Sequence, residues 1–226
     1  MNEEPDPDQL IQEPKPYYSV TYWLVYTVVI FVVIALLGAL GTPHLIRSKK
    51  KSYQSEAISN SKLLSLALFE FDSDYGSYPN EETAKDVTEA FPNHGYDFSG
   101  NSSNAIFRQL IAAGIVKNED VFYFNTKGAK KPDGNISPGH ALEKGECNYA
   151  YISGQSSAGN PSQPILLCPV IPGTKKLGSN DSNGTIIVIK ADNSVGTYKL
   201  DSGGPDILSP KHPIWKGKAP DIRYPE

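Results

Sequence analysis

Residues 19–43 read SVTYWLVYTVVIFVVIALLGALGTP and contain no Asp, Glu, Lys or Arg. The uncharged run extends from Pro16 to Ile46 if His44 is counted as neutral, and its strongly apolar centre is Tyr22–Leu40. At about 1.5 Å per residue, such a run with a few flanking residues crosses a hydrocarbon layer of roughly 30 Å. A lone span in lipid must pair its backbone groups internally, which makes it a helix despite its many β-branched residues. Tyr17, Tyr18, Tyr22 and Trp23 stand at one end, where amphipathic rings favour the headgroup region. Arg47, Lys49, Lys50 and Lys51 close the other end, within reach of lipid phosphates. A core helix of a soluble domain is rarely this long and this uniformly apolar. A cleaved signal peptide carries a basic leader and only about 7–15 apolar residues, whereas here Glu3, Glu4, Asp6, Asp8 and Glu13 face Lys15 alone. The reading is a retained transmembrane helix over residues 19–43.

Before it, residues 1–18 are acidic, carry Pro5, Pro7, Pro14 and Pro16, and read as a disordered tail. After it, residues 44–72 read as an amphipathic continuation of the same helix. Ala57, Ser61, Leu64, Leu68 and Phe71 recur at helical steps, and Leu63, Leu66 and Ala67 are expected to widen that stripe. Pro43 is expected to bend the helix without ending it. Gly76 and Pro79 stop it, and the neighbouring Asp72 and Asp74 read as a turn rather than a catalytic or metal pair. Residues 73–202 read as a globular α+β domain. Asn80 is expected to cap one short helix ending near Phe91, and Ser102 or Ser103 a second ending at Gly114. Residues 120–126, 148–154, 164–168, 184–191 and 194–200 have strand composition, the last two forming a hairpin across Asp192-Asn193. Residues 127–146 read as an exposed loop, and the Pro-rich residues 203–226 as a tail laid on the surface or disordered, with Trp215 and Tyr224 as possible packing points. A long helix, short helices and then antiparallel strands predict an α+β fold.

The net charge of −4 is spread over the chain, and the only basic cluster is explained by a membrane surface, so nucleic acid is not an expected partner. The two cysteines, Cys147 and Cys168, are a candidate disulfide, with two independent buried thiols as the other reading. None of the four histidines stands at metal-ligand spacing from them.

The stretch LLGALGTPHLIRSKKKSYQSEAISNSKLLSLALFEFDSDYGSYP resembles the N-terminal region of type IV pilin-like proteins and type II secretion pseudopilins, in particular the divergent pilin-like proteins abundant in Verrucomicrobia and Planctomycetes. The later segments SSNAIFRQLIAAGIVKNEDVFYF, NYAYISG, PILLCP and GTIIVIKADNSVGTYKL fit the same group in order. The resemblance covers roughly Tyr22–Leu200 and implies a pilin-like domain on a long N-terminal helix. In that family a peptidase cuts after Gly and before an aromatic residue or Met, and a Glu follows shortly. Aligning the family proline with Pro43 puts the cut between Thr21 and Tyr22 and the glutamate at Tyr26. Gly and Glu are both missing, so the processing site is degenerate. A buried carboxylate in lipid would need the partner amine that cutting creates, and its absence is coherent with an uncut N-terminus.

The resemblance implies inner-membrane location, a single span and a periplasmic C-terminal domain. Positive-inside counting argues the reverse, since four basic residues follow the anchor and Lys15 alone precedes it. An external domain agrees with a Cys147–Cys168 bridge. The resemblance implies a bacterial protein, in which the sequons at Asn101, Asn135, Asn180 and Asn183 carry little weight by themselves. The leading function is a structural subunit or minor assembly component of a type IV pilus or type II secretion-like filament. Its expected partners are membrane lipid, pilin-like or secretion-system subunits, and further copies of its own N-terminal helix. Gly38, Ala39, Gly41 and Pro43 are the candidates for close helix packing. The alternative is a permanently anchored envelope binding or scaffold protein that is neither processed nor polymerised. No nucleophile elbow, HExxH, P-loop or dinucleotide fingerprint is present, so an enzyme is not expected. No cofactor is expected. Calcium is the one alternative, at residues 179–183 or 201–206, which ordinary turns explain better.

Overall fold

The computed structural model describes residues 20–178, 184–199, 207–216 and 219–226, with the backbone alone over 38–50. The chain divides after Arg47 into two units. Helix α1, Val20–Tyr75, supplies the described part of the first and opens the second. It passes through Pro43 without ending, as the sequence suggests.

In the second unit the helical stripe behaves as its spacing predicts. Ala57, Ser61, Leu64, Leu68 and Phe71 are all fully buried. The hydroxyl of Ser61 is satisfied within the helix, donating to the Ala57 carbonyl at 2.6 Å. The expected widening of the stripe fails on one side, because Leu63 and Leu66 are each 54 % exposed. At about 100° per residue Leu63 sits about 120° and Leu66 about 180° from the centre of the buried line, beyond the arc that one sheet face covers. The helix closes where Gly76, at φ +78°, donates its N–H to the Asp72 carbonyl at 2.8 Å.

Helix α2 is Thr83–Ala90 and helix α3 is Ser103–Ala112. Asn80 Oδ1 accepts the N–H groups of Glu82 and Thr83, while Thr83 Oγ1 accepts the N–H of Asn80, a reciprocal box that fixes the start of α2. Ser102 Oγ accepts the Ala105 N–H at the start of α3, and Gly114, at φ +73°, lies just beyond its end.

The strands are β1 (Ala150–Ile152), β2 (Pro164–Cys168), β3 (Thr185–Lys190), β4 (Val195–Lys199) and β5 (Ile222–Arg223). They form one antiparallel sheet in the order β4-β3-β2-β1-β5. The β3–β4 hairpin forms where expected. Lys190 accepts from Asn193 N–H and donates to Ser194, with Asn193 left-handed at φ +61°. Between β2 and β3 the register slips at Pro164/Leu166, and Ile165 and Leu166 both enter the same core.

Two expectations are corrected. Residues 120–126 are not a strand of the sheet: Glu119–Phe122 is a 3-10 turn capped by Asn118, whose Oδ1 takes the Asp120 N–H. Phe122 and Phe124 still alternate inward, and Asn148 ties the segment to the chain before β1, donating its N–H to Phe122 O and accepting Phe124 N–H. The aromatic alternation is real, but the Asn-Glu-Asp turn chemistry takes the backbone out of the ladder. Nor are residues 203–226 merely a surface tail. In the described part, β5 adds an edge strand to β1, and Ile207 and Trp215 are buried, with Trp215 Nε1 donating to the Ile207 carbonyl at 2.7 Å.

The sheet therefore has two covered faces. On one, Tyr149, Tyr151, Leu166, Cys168, Ile187 and Ile189 share a core with α1 and α3. On the other, Ala150, Ile152, Leu167, Ile186 and Val188 share a second core with Ile207 and Trp215. Urea unfolding of the detergent-solubilised chain checks this packing. Leu68→Ala should cost about 2–5 kcal/mol, whereas Leu66→Ala should stay within about 0.5 kcal/mol. Equal losses at the two positions would contradict the burial of one and the exposure of the other.

Candidate functional site

The first unit offers an apolar surface. Val20–Leu37 has a mean hydropathy of 2.5 and none of it is buried, so among the described residues one helix is long and apolar enough to cross a membrane. The Thr27 hydroxyl is satisfied within the helix, its Oγ1 donating to the Trp23 and Leu24 carbonyls at 3.0 and 2.9 Å. Thr21, Tyr22 and Tyr26 all lie in regular helix and are exposed. Gly38, Ala39, Gly41 and Pro43 are helical in backbone, and their side chains lie outside the description.

The cysteine pair is corrected. Both thiols are free and buried. The pairing Ala150↔Leu167 and Tyr151↔Leu166 brings Cys168 toward Tyr149, leaving Cys147 a diagonal neighbour. Diagonal positions in a sheet stand about 7–8 Å apart, beyond the span a disulfide bridges without backbone movement. Each sulfur has its own hydroxyl instead. Cys168 Sγ lies 3.5 Å from Ser61 Oγ on α1, and Cys147 Sγ lies 3.7 Å from Ser103 Oγ at the start of α3. Burial pushes the Cys147 thiol up to about 11 and the Cys168 thiol up to about 12. Neither is a nucleophile at neutral pH.

The group that sequence reasoning missed is a carboxylate network. Glu119 and Glu146 are both fully buried. Glu119 Oε1 accepts the Leu142 N–H at 2.6 Å, and Glu146 Oε2 accepts the Glu143 N–H at 2.8 Å. Lys130 Nζ bridges Glu143 and Glu146 at 2.5 and 3.0 Å, and His140 Nδ1 stands 3.2 Å from Glu143. Residues 141, 142, 145 and 146 are thereby drawn inside, so the later part of the expected 127–146 exposed loop is largely buried, Lys144 excepted. Burial pushes the Glu119 carboxyl above its ordinary range; the Leu142 N–H pulls the other way, and the Glu146 charge adds to the rise. The sequence signal was slight, a Glu preceding Cys147 and another inside a capping turn. Its chemistry is a latch on the chain rather than a reaction centre.

Asp72 and Asp74 do not converge. Asp72 is buried and takes the Ser157 hydroxyl, while Asp74 is exposed. A polar cleft of about 420 Å³ lies between the start of α2 and the loop after β1, lined in part by Asn80, Glu81, Ser153, Gln155, Gln163 and Asp221. Arg223 clamps Glu81 and Asp221 beside it, at 2.8 and 3.0 Å. The calcium candidates at 179–183 and 201–206 lie outside the described residues. Among those described, no cluster of three or more His, Cys, Asp or Glu could hold a metal. The chain matches no protein-family model, no curated protein and no solved structure.

Alkylation should leave both thiols untouched in the folded chain and label both after denaturation without reductant; a bridged, unlabelled pair would refute the free-thiol geometry. Glu119 gives a pH test. A carboxyl held above its ordinary pKa in the folded state contributes stability that is complete at low pH and lost as pH rises through the folded value. Glu119→Gln keeps the acceptor for Leu142 and removes the titration. The variant should therefore gain in Tm over the native chain as pH rises from about 4 to about 8. A Tm difference independent of pH would assign no such penalty to Glu119.

Proposed function

We propose that this chain is a membrane-anchored, pilin-like structural subunit or minor assembly component of a type IV pilus or type II secretion-like filament. Residues 19–43 hold it in the inner membrane, with the C-terminal domain on the periplasmic side. One observation carries the reading. A single helix opens with uncharged, wholly exposed apolar turns, and its later turns form a wall of the core of an α+β domain with an antiparallel sheet. Function then resides in where the helix sits and what it packs against. Lipid and neighbouring apolar helices are the partners, with Gly38, Ala39 and Gly41 allowing close approach. The buried thiols and the latched carboxylates fit a structural rather than a chemical role.

A second reading has its own observation. Thr21 and Tyr26 stand where the family carries Gly and Glu, which favours a permanently anchored envelope scaffold or binding protein over a processed major subunit. Mechanical shearing of the native cells separates the two. As a filament component, the chain should pellet with sheared surface filaments, or its deletion should abolish them. A chain confined to the inner membrane, whose deletion leaves such filaments unchanged, would overturn the first reading in favour of the second.

A further inference from the structure

The sequence contains four Asn-x-Ser/Thr sequons, and the structure separates them. At Asn101 the required hydroxyl belongs to Ser103, which is fully buried and donates to the Tyr149 carbonyl at 2.7 Å. Asn180 and Asn183 lie outside the described residues, and the Thr185 hydroxyl on which Asn183 depends sits in β3 at 8 % exposure. Asn135-Ile136-Ser137 is different. Asn135 and Ser137 are both exposed, as are Asp133, Gly134, Pro138 and Gly139.

The local geometry presents the amide. Asp133 Oδ1 accepts the Asn135 N–H at 2.8 Å, turning the chain. Asn135 Oδ1 accepts from the Ser137 hydroxyl at 2.6 Å and from its N–H at 3.2 Å. The oxygen is thus occupied, while no hydrogen bond among the described residues engages Nδ2. Gly134 and Gly139, at φ +77° and +86°, bracket the turn, and a Cβ at either would meet nothing. The base of the loop is held, with Tyr96 OH donating to the Ile136 carbonyl at 2.6 Å. The tip can therefore enter an enzyme groove without unravelling the core. Asp133, whose carboxylate fixes the turn, is itself exposed, so the tip from Asp133 to Asn135 stands clear of the core.

We propose that Asn135 is an acceptor for N-linked glycosylation, modified from a lipid-pyrophosphate-linked oligosaccharide by an oligosaccharyltransferase on the outer face of the membrane. In the step, Asn135 Nδ2 forms a bond to the anomeric carbon of the sugar. The bond from that carbon to the pyrophosphate oxygen breaks, the lipid pyrophosphate leaves with the electron pair, and an Nδ2 proton passes to a base of the transferase. Nothing is oxidised or reduced. The inference rests on the periplasmic placement proposed above and not on filament membership.

The test expresses the full chain, carrying a C-terminal tag with one unstructured control sequon, in bacteria equipped with such a transferase and its lipid-linked oligosaccharide. Peptide mapping should find the oligosaccharide on Asn135 as well as on the tag. S137A should remove it from Asn135 alone, and S137T should retain it. A glycosylated tag with bare Asn135 would overturn Asn135 as an acceptor. A bare tag and a bare Asn135 would show that the domain is not exported, overturning the placement and the modification together. Filament membership is read separately by shearing, so the two failures cannot be confused.

Discussion

Everything in the second unit answers to one constraint: the two central strands have no polar face. β2 is buried at every position and β3 at all but Lys190. A sheet of this kind must be covered on both sides, or it leaves a continuous apolar surface in water. The buried stripe of α1, together with α3 and the aromatic residues around Phe122, covers one side. Ile207 and Trp215 cover the other. The order of the strands places β4 at one edge and the short β5 at the other, with β3, β2 and β1 sheltered between.

The same constraint explains what could be read from the residues and what could not. The stripe from Ala57 to Phe71 was legible because helical period survives in sequence. The caps at Asn80 and Ser102 were legible because their chemistry is local. The hairpin was legible because Asn193 tolerates a left-handed turn. The second cover was not, although a clue was present: PILLC and TIIVI are continuous apolar runs rather than alternating ones, which demands burial on both faces. Trp215 could be named as a packing point, but joining it to Ile207 as the cover of that face requires knowing the fold, since the prolines around them signal only irregular backbone. The carboxylate latch was illegible for the same reason. Glu119 meets Leu142 and Glu146 meets Lys130 only after the chain has folded back over itself. Strand propensity misled at 120–126, where aromatic alternation was right about burial and wrong about pairing. A candidate disulfide misled through proximity in sequence pattern, because the register decides the question and the register is a property of the sheet.

The first unit is simpler physically. Its helix needs no tertiary partner to satisfy its backbone, and the Thr27 hydroxyl is satisfied within the turn before it. Val20–Leu37 holds no Asp, Glu, Lys or Arg, so no ionised side chain opposes transfer of that stretch into hydrocarbon. The basic cluster that follows works against export of what lies beyond it, and the acidic residues before it do not counter that pull with basic charge.

The final turn of the chain has a consequence for biosynthesis. Ser103 donates its N–H to the Tyr224 carbonyl, Glu226 takes the Ser102 hydroxyl and donates its N–H to Asn104, and Gly145 and Gly173 donate to the carbonyls of Glu226 and Pro225. Residues 222–226 are therefore a clasp joining the start of α3 to two distant loops. A ribosome releases α1 long before it releases the clasp. The apolar helix is made while the sheet still lacks β5 and its second cover. Closure of the domain therefore waits on segments made well after α1 and the first four strands, so its core stays incomplete through most of their synthesis.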